Sequence, residues 1–329
     1  MNKYIIPFLK HLIPFRSWWH RKFFAYNDFW NSEKKLPILS MEESMKLVSK
    51  KIKSGESFML GRYGFTELRN LFCARKSKQK RLFKQLVTNA GFFPLDIKLL
   101  SQFRKVYEIA EKNLDILLPW SYFTDYQNRE RRRVKNLPNI KNLCSFAISG
   151  SALGYSKNAD KKNLKTWANF EYFMKNSWFQ SLKDKKVLVI HPFEKSIKSQ
   201  YKKLSQRGLM PKFKKLSFIK AVQSVGLGGD DRFKDWFEAL DYMKKQIKRH
   251  DFDVAIIGCG AYGFPLASYV KSLGKQGLHT GGATQLLFAI KGQTWEEAQG
   301  KTFIEDFWIY PAKSERPKAF KQVESGCYW

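Results

Sequence analysis

Residue types suited to chemistry fall in four short stretches of this chain. In Gly61-Arg-Tyr-Gly-Phe-Thr-Glu67, Arg62 offers a forked guanidinium that matches a pair of phosphates, and Gly64 leaves room beside it. Glu67 in the same stretch can ligate a divalent ion or accept a hydroxyl proton. The two residues also suit a plain ion pair at the start of a helix. In His191-Pro-Phe-Glu-Lys-Ser196, followed by Gln200 one helical turn later, His191 can donate to a phosphate or act as a base. It can equally be a buried, satisfied hydrogen-bonder. Gly258, Gly260 and Gly263 spell G-x-G-x-x-G directly after an apolar run, with Tyr262 inside the turn. A second glycine turn, His279-Thr-Gly-Gly282, carries Gly281 and Gly282 and is followed by Gln285. Both turns offer backbone N–H groups at a helix start, a geometry that cradles phosphate. The competing reading is that Gly260 and Gly263 only permit close packing of helix on strand.

A nicotinamide site places a carboxylate about 20 positions beyond the glycines, at the end of the next strand. Here that strand ends at His279, and no Asp or Glu occurs from Val254 to Trp295. The dinucleotide fingerprint is therefore incomplete. The same absence leaves nothing to repel an anion, and Lys275 adds a cation to the segment.

These residues must be held by elements that the pattern lets one place. A helix over 40–53 has Ser40 as cap, Glu43 completing the capping box and an apolar stripe of Met45, Leu47, Val48 and Ile52. A short strand, 58–60, runs into the Arg62 stretch. Residues 95–118 read as helical, and the basic run 128–133 reads as a solvated face or loop. Strands are expected at 186–190, 213–218, 253–257 and 276–278. Between them, Asp230 or Asp231 caps a helix carrying Phe233, Trp236, Phe237, Leu240, Met243 and Ile247, and further helices cover 266–273 and 284–290. Strands alternating with helices predict an α/β, doubly wound, mainly parallel sheet with helices on both faces. Candidate residues then collect at the carboxyl ends of the strands.

Composition narrows the partners. The chain carries 60 Lys+Arg against 29 Asp+Glu, a net charge of +31, which favours anionic partners: nucleic acid, an anionic membrane face or phosphorylated substrates. No helix-turn-helix, zinc finger or RNA-binding aromatic motif accompanies the charge, so nucleic acid has charge alone in its favour. Four scattered cysteines, Cys73, Cys144, Cys259 and Cys327, lack zinc or disulfide spacing and fit a reducing cytoplasm. No segment approaches the ~18 apolar residues that span a bilayer. Residues 1–39 mix aromatics such as Trp18, Trp19 and Phe23 with Arg16, Arg21 and Lys22, a composition suited to a membrane surface or to packing on the domain. One domain is expected over 40–329.

Taken together, GRYGFTELRN, VLVIHPFEKSIKSQY, the block 253–295 and the terminal VESGCYW resemble bacterial glycosyltransferases of the GT-D type and their uncharacterised relatives in surface polysaccharide and glycan gene clusters. The resemblance runs from about residue 40 to the C-terminus, and 253–295 is its most specific part. It implies a Rossmann-like domain, a nucleotide-sugar donor and a divalent metal, Mn or Mg, held by an Asp-x-Glu pair. Arg62, Tyr63, Gly64 and Glu67 match that motif, but Phe65 stands at the aspartate position. The expected function is sugar transfer to a glycan or lipid-linked acceptor, with the protein peripheral on the cytoplasmic face of the cell membrane. Arg62, Lys275, His279 and the glycine turns would hold the donor, with Gly64, Ser196, Gln200, Tyr262 and Gln285 around it. Glu67, then His191, are the candidate bases. An NAD(P)-dependent oxidoreductase and a non-catalytic nucleotide- or nucleic-acid-binding protein are the alternatives.

Overall fold

Apolar runs too short for helices become strands here, and burial on both sides explains why they lack an alternating pattern. The described residues of the computed structural model are 38–39, 41–72, 76–118, 142–144, 177–227, 229–293, 306–323 and 326–329. The N-terminal segment 1–37, Ser40, Cys73, the basic run 128–133 and Trp295 lie outside them, and for Phe65 and Cys144 the backbone alone is described. The strands are β1 (Ile38–Leu39), β2 (Phe58–Arg62), β3 (Ile116–Leu118), β4 (Asn142–Cys144), β5 (Lys186–His191), β6 (Lys215–Lys220), β7 (Val254–Ile257) and β8 (Gln276–His279). They form one sheet in the order β1-β4-β3-β2-β8-β7-β5-β6. Every pairing is parallel.

The helices are α1 (Met41–Ser54), α2 (Phe65–Phe72), α3 (Lys76–Ala90), α4 (Leu100–Glu111), α5 (Glu194–Gln206), α6 (Trp236–Lys248) and α7 (Gly263–Ser272). Alternation along the strands divides the interior into two cores. Met59, Leu188, Ile190, Ala255 and Ile257 face the core built with α3, α4, α6 and α7. Phe58, Leu60, Val187, Val189, Val254 and Ile256 face the other, built with α1, α5 and the C-terminal residues. The doubly wound α/β expectation holds.

Three expected elements differ. The helical reading of 95–118 divides into α4 and β3, because the Asp115 carboxylate accepts from the Met59 N–H at 2.8 Å and Leu60 pairs with Ile116. The cap of α6 is Asp235, whose side chain accepts from the Glu238 N–H at 2.9 Å, while Asp230 is engaged by Arg232. Phe233 therefore precedes the helix. Residues 284–290 form two single 3₁₀ turns, Gly281–Thr284 and Leu286–Phe288, ended by Ala289 at φ 52° as Ile290 turns to pair with Ile309.

The connections place the crevice. β5 leaves through α5 on one face towards β6, while its neighbour β7 leaves through α7 on the opposite face towards β8. Adjacent strands whose connections diverge in this way open a cleft beyond their carboxyl ends.

Candidate functional site

Register brings the candidate residues to one edge. Ile190, Ile257 and His279 lie side by side across β5, β7 and β8. Leu60 pairs with Leu278, so the next row reads His191, Gly258, Thr280, Arg62. Three inter-strand steps of about 4.8 Å separate His191 from Arg62 by roughly 14 Å. The structure thus gathers Arg62, Gly64, Glu67, His279 and Gly281 into one cluster and leaves His191 at the other side of the edge.

At the end of β2, Arg62 is half-buried and its guanidinium lies against Gly281, where a Cβ would stand 3.0 Å from Arg62 Nη1. One turn on, the Glu67 carboxylate folds back onto Gly64 and accepts from the Thr66 hydroxyl at 2.8 Å. Gly64 is needed because any side chain there would meet that carboxylate. Glu67 is 5% exposed, so its charge acts in a poorly hydrated place. Below it lies a polar cluster that sequence reasoning missed. Tyr63 donates to the buried Glu111 at 2.5 Å and stacks on Phe264, with ring centroids 4.8 Å apart. Tyr107 donates to the Ala261 carbonyl at 2.8 Å. Burial first, and then the Glu67 charge, push the Tyr107 phenol well above its ordinary range. Sequence alone gave no sign of this cluster, since Tyr63 lies more than 40 positions before Tyr107 and Glu111, which are spaced as in any helix, and Ala261 and Phe264 lie far beyond them.

Both imidazoles are neutral. His279 Nδ1 lies 3.2 Å from the Ile257 carbonyl. A carbonyl can only accept, so Nδ1 carries the hydrogen and Nε2 is left as an acceptor. Burial and the nearby Arg62 charge lower its pKa to about 3. His279 therefore offers no donor to a phosphate at neutral pH. His191 is the opposite tautomer: its Nδ1 accepts from the Phe193 N–H at 3.0 Å, and burial lowers its pKa to about 3. Such a group is a poor proton acceptor, and it stands far from Glu67.

Other expected ligands are engaged in holding the fold. Ser196 donates to Glu315 at 2.5 Å, and the N–H groups of Lys195 and Ser196 point at the same carboxylate. The amino end of α5, which in this fold class faces ligand, is thus closed by an internal anion. Gln200 donates to the Ala289 and Phe307 carbonyls, and Gln285 to those of Ile290 and Tyr328. Tyr262 stacks on Trp236 at 5.2 Å and bonds Ser224 at 2.9 Å, with burial raising its phenol pKa. Lys275 is a correction of another kind. It precedes β8, at the amino end of the sheet, with Asp251 among its neighbouring charges. One four-residue strand, about 13 Å, separates it from the crevice.

The glycine turns are filled by the protein itself. A Cβ on Gly258 would meet the Thr284 hydroxyl, and one on Gly263 the His279 ring. At Gly260, φ is +55° and a Cβ would lie 2.6 Å from the Ala90 carbonyl, while Gly282 lies under Tyr328. Close packing accounts for these four glycines. Gly281 differs, since its neighbour is Arg62.

A divalent ion bridging two phosphates needs several anionic oxygens. With Phe65 at the aspartate position, Glu67 is the stretch's single carboxylate, and it is already bonded by Thr66. Among the described residues no group of three or more His, Cys, Asp or Glu is placed to hold a metal. The donor set does not fit a resident divalent cation. No described helix is long and apolar enough to cross a membrane.

No family model and no curated protein matches this chain. It is similar to a solved structure described as the selenomethionine-substituted structure of domain of unknown function 1792 (DUF1792), at 13% identity and a TM-score of 0.39, over 92% of this chain and 98% of that one.

Proposed function

We propose that this protein transfers a sugar from a nucleotide-sugar donor to a hydroxyl of a glycan or lipid-linked acceptor, using the β2 end of the crevice. The observation that carries the reading is the pairing of Arg62 on Gly281 with Glu67 on Gly64 at adjacent strand ends, in a segment otherwise free of acids. Transfer needs a cation where the leaving diphosphate gains charge and a base where the acceptor loses a proton. Arg62 supplies the first, and its fork can bond two phosphate oxygens at once. The backbone of Gly281, which opens the next turn, lies beside it. Glu67 supplies the second: its carboxylate takes the hydroxyl proton as the oxygen attacks the anomeric carbon and the diphosphate departs. Tyr63 and Glu111 fix the stretch that carries both residues. No step runs through a metal, so transfer is expected to persist in EDTA.

Nucleoside-diphosphate sugars should raise the melting temperature of the wild type by a few degrees at concentrations well above Kd, since ligand binding to the folded state stabilises it by mass action. Arg62→Gln should abolish the shift. Glu67→Gln should keep the shift and lose transfer by at least about a hundredfold, as the amide cannot take a proton. A stabilising nucleotide-sugar whose effect survives Arg62→Gln would move the donor elsewhere, and full transfer by Glu67→Gln would remove it as the base.

A further inference from the structure

Some cations of the described surface have carboxylate partners. Lys46 pairs with Glu42, Lys51 with Glu56, Lys186 with Asp251, Arg232 with Asp230, Lys244 with Asp241 and Lys271 with Asp115. One stretch gathers cations densely and without acids. From Lys195 to Lys220, through α5 and the edge strand β6, the chain has eight lysines, one arginine and no Asp or Glu. All nine cations are exposed. Among the described residues none of the nine is held in an ion pair, a property that Lys78, Lys80 and Lys84 of α3 share. The two elements form a single side because Tyr201 of α5 stacks on Phe213 at 4.6 Å and accepts from its N–H at 2.8 Å. Nine unpaired like charges repel one another, and the fold gains nothing from gathering them.

The same side has an apolar component. A cavity of about 430 Å³ opens between the second half of α5 and residues 306–309. Leu204, Phe307 and Ile309 line it, Lys203 and Arg207 stand one helical turn apart at its wall, and Asp306 is its one carboxylate. Arg207 lies 5.3 Å over the Phe307 ring, which holds the guanidinium at the mouth. Elsewhere on these elements Leu209, Phe213, Leu216 and Phe218 are half-buried and packed against the core. A recess walled by three apolar residues, two glutamines and two cations fits an amphiphile.

We infer that the α5–β6 side docks on an anionic lipid bilayer, with the cavity receiving the hydrocarbon nearest one headgroup. Lysine predominance fits this partner. A charged plane attracts point charges without needing their geometry, whereas readers of nucleic acid rely on the planar arginine fork. The surface lies apart from the β2 end and does not depend on the proposed chemistry there.

The test is co-sedimentation of the full chain with vesicles of phosphatidylcholine alone and of phosphatidylcholine with about one-third phosphatidylglycerol. Binding is expected to the anionic vesicles only and to fall with salt. Each lysine near such a surface is worth about fivefold in partition. Lys198→Glu/Lys202→Glu/Lys203→Glu should therefore weaken binding at least about a hundredfold without altering the melting temperature. Lys78→Glu/Lys80→Glu/Lys84→Glu, an equal charge change on α3 across the sheet, should leave most binding intact. Equal losses in the two variants would reduce the effect to net charge and overturn the docking surface. So would displacement by free glycerol phosphate, which has the headgroup chemistry without the hydrocarbon, or tighter binding to duplex DNA than to the vesicles.

Discussion

The two buried histidines give the protein a pH signature that its surface charge would not. The unfolded chain binds a proton on each imidazole below about pH 6.5, whereas the folded chain binds one only near 3. Their contribution to stability is therefore complete above about 6.5 and lost progressively as pH falls towards 3, by about 1.4 kcal/mol per unit and per group. At pH 5 the loss is about 2 kcal/mol for each histidine. The urea midpoint should drop accordingly between pH 7.5 and 5. His191→Asn, which keeps an acceptor for the Phe193 N–H but cannot titrate, should remove about half of that drop. An unchanged pH dependence in this variant would mean that His191 is protonated in the folded state. The glycines allow a second measurement. Gly263→Ala drives a methyl into the His279 ring and should cost several kcal/mol. Gly274 has φ +74° and nothing within 4 Å, so Gly274→Ala should cost only about 1 kcal/mol. Similar melting temperatures for the two would show that the Gly263 helix turn moves aside freely.

Among the elements, α5 shows how a site can be closed by a residue that no local pattern announces. Glu315 lies 119 positions beyond Ser196, yet its carboxylate takes two backbone N–H groups and a hydroxyl at the helix start. Glu315→Gln should lower stability by about 1–3 kcal/mol, through loss of charge at a helix amino end and of charge-assisted bonds. It should also speed proteolysis within 306–323, because the same contact ties that segment to the sheet. Cleavage at the wild-type rate would sink that role for Glu315. What was legible in advance follows from range. The α1, α6 and α7 helices and strands β2, β5, β7 and β8 are written in local periodicity and turn residues, and the crevice follows from their alternation. Arg62 and Glu67 were legible as a pair because four intervening residues carry them onto one helix start. The internal partners of Ser196, Gln200 and Gln285 were not legible, since a polar side chain at a strand or helix end looks the same whether it faces solvent or a distant carbonyl. Lys275 was misplaced for a simpler reason: it follows a helix rather than a strand, and polarity along the sheet decides which edge it occupies.

For the whole molecule, a net charge of +31 sets a long-range field that draws in anions before any contact forms. Association of a nucleotide-sugar should therefore slow several-fold between about 0.05 M and 0.3 M salt, with a smaller change in dissociation. Stopped-flow measurement with both rates unchanged would show that the field does not reach the β2 end. The strand order carries a consequence for how the molecule is made. Among the described residues β8 is the last strand, yet it lies at the centre of the sheet between β2 and β7. As the chain emerges from the ribosome, every earlier strand is complete while the middle position is still empty. Two apolar strands, β2 and β7, then present unpaired edges until residues 276–279 arrive, the state in which nascent proteins are captured by chaperones or by one another. Translation speed through the codons for residues 276–329, and any premature stop there, should bear on yield far more than equal disturbances in the codons for β1 and α1.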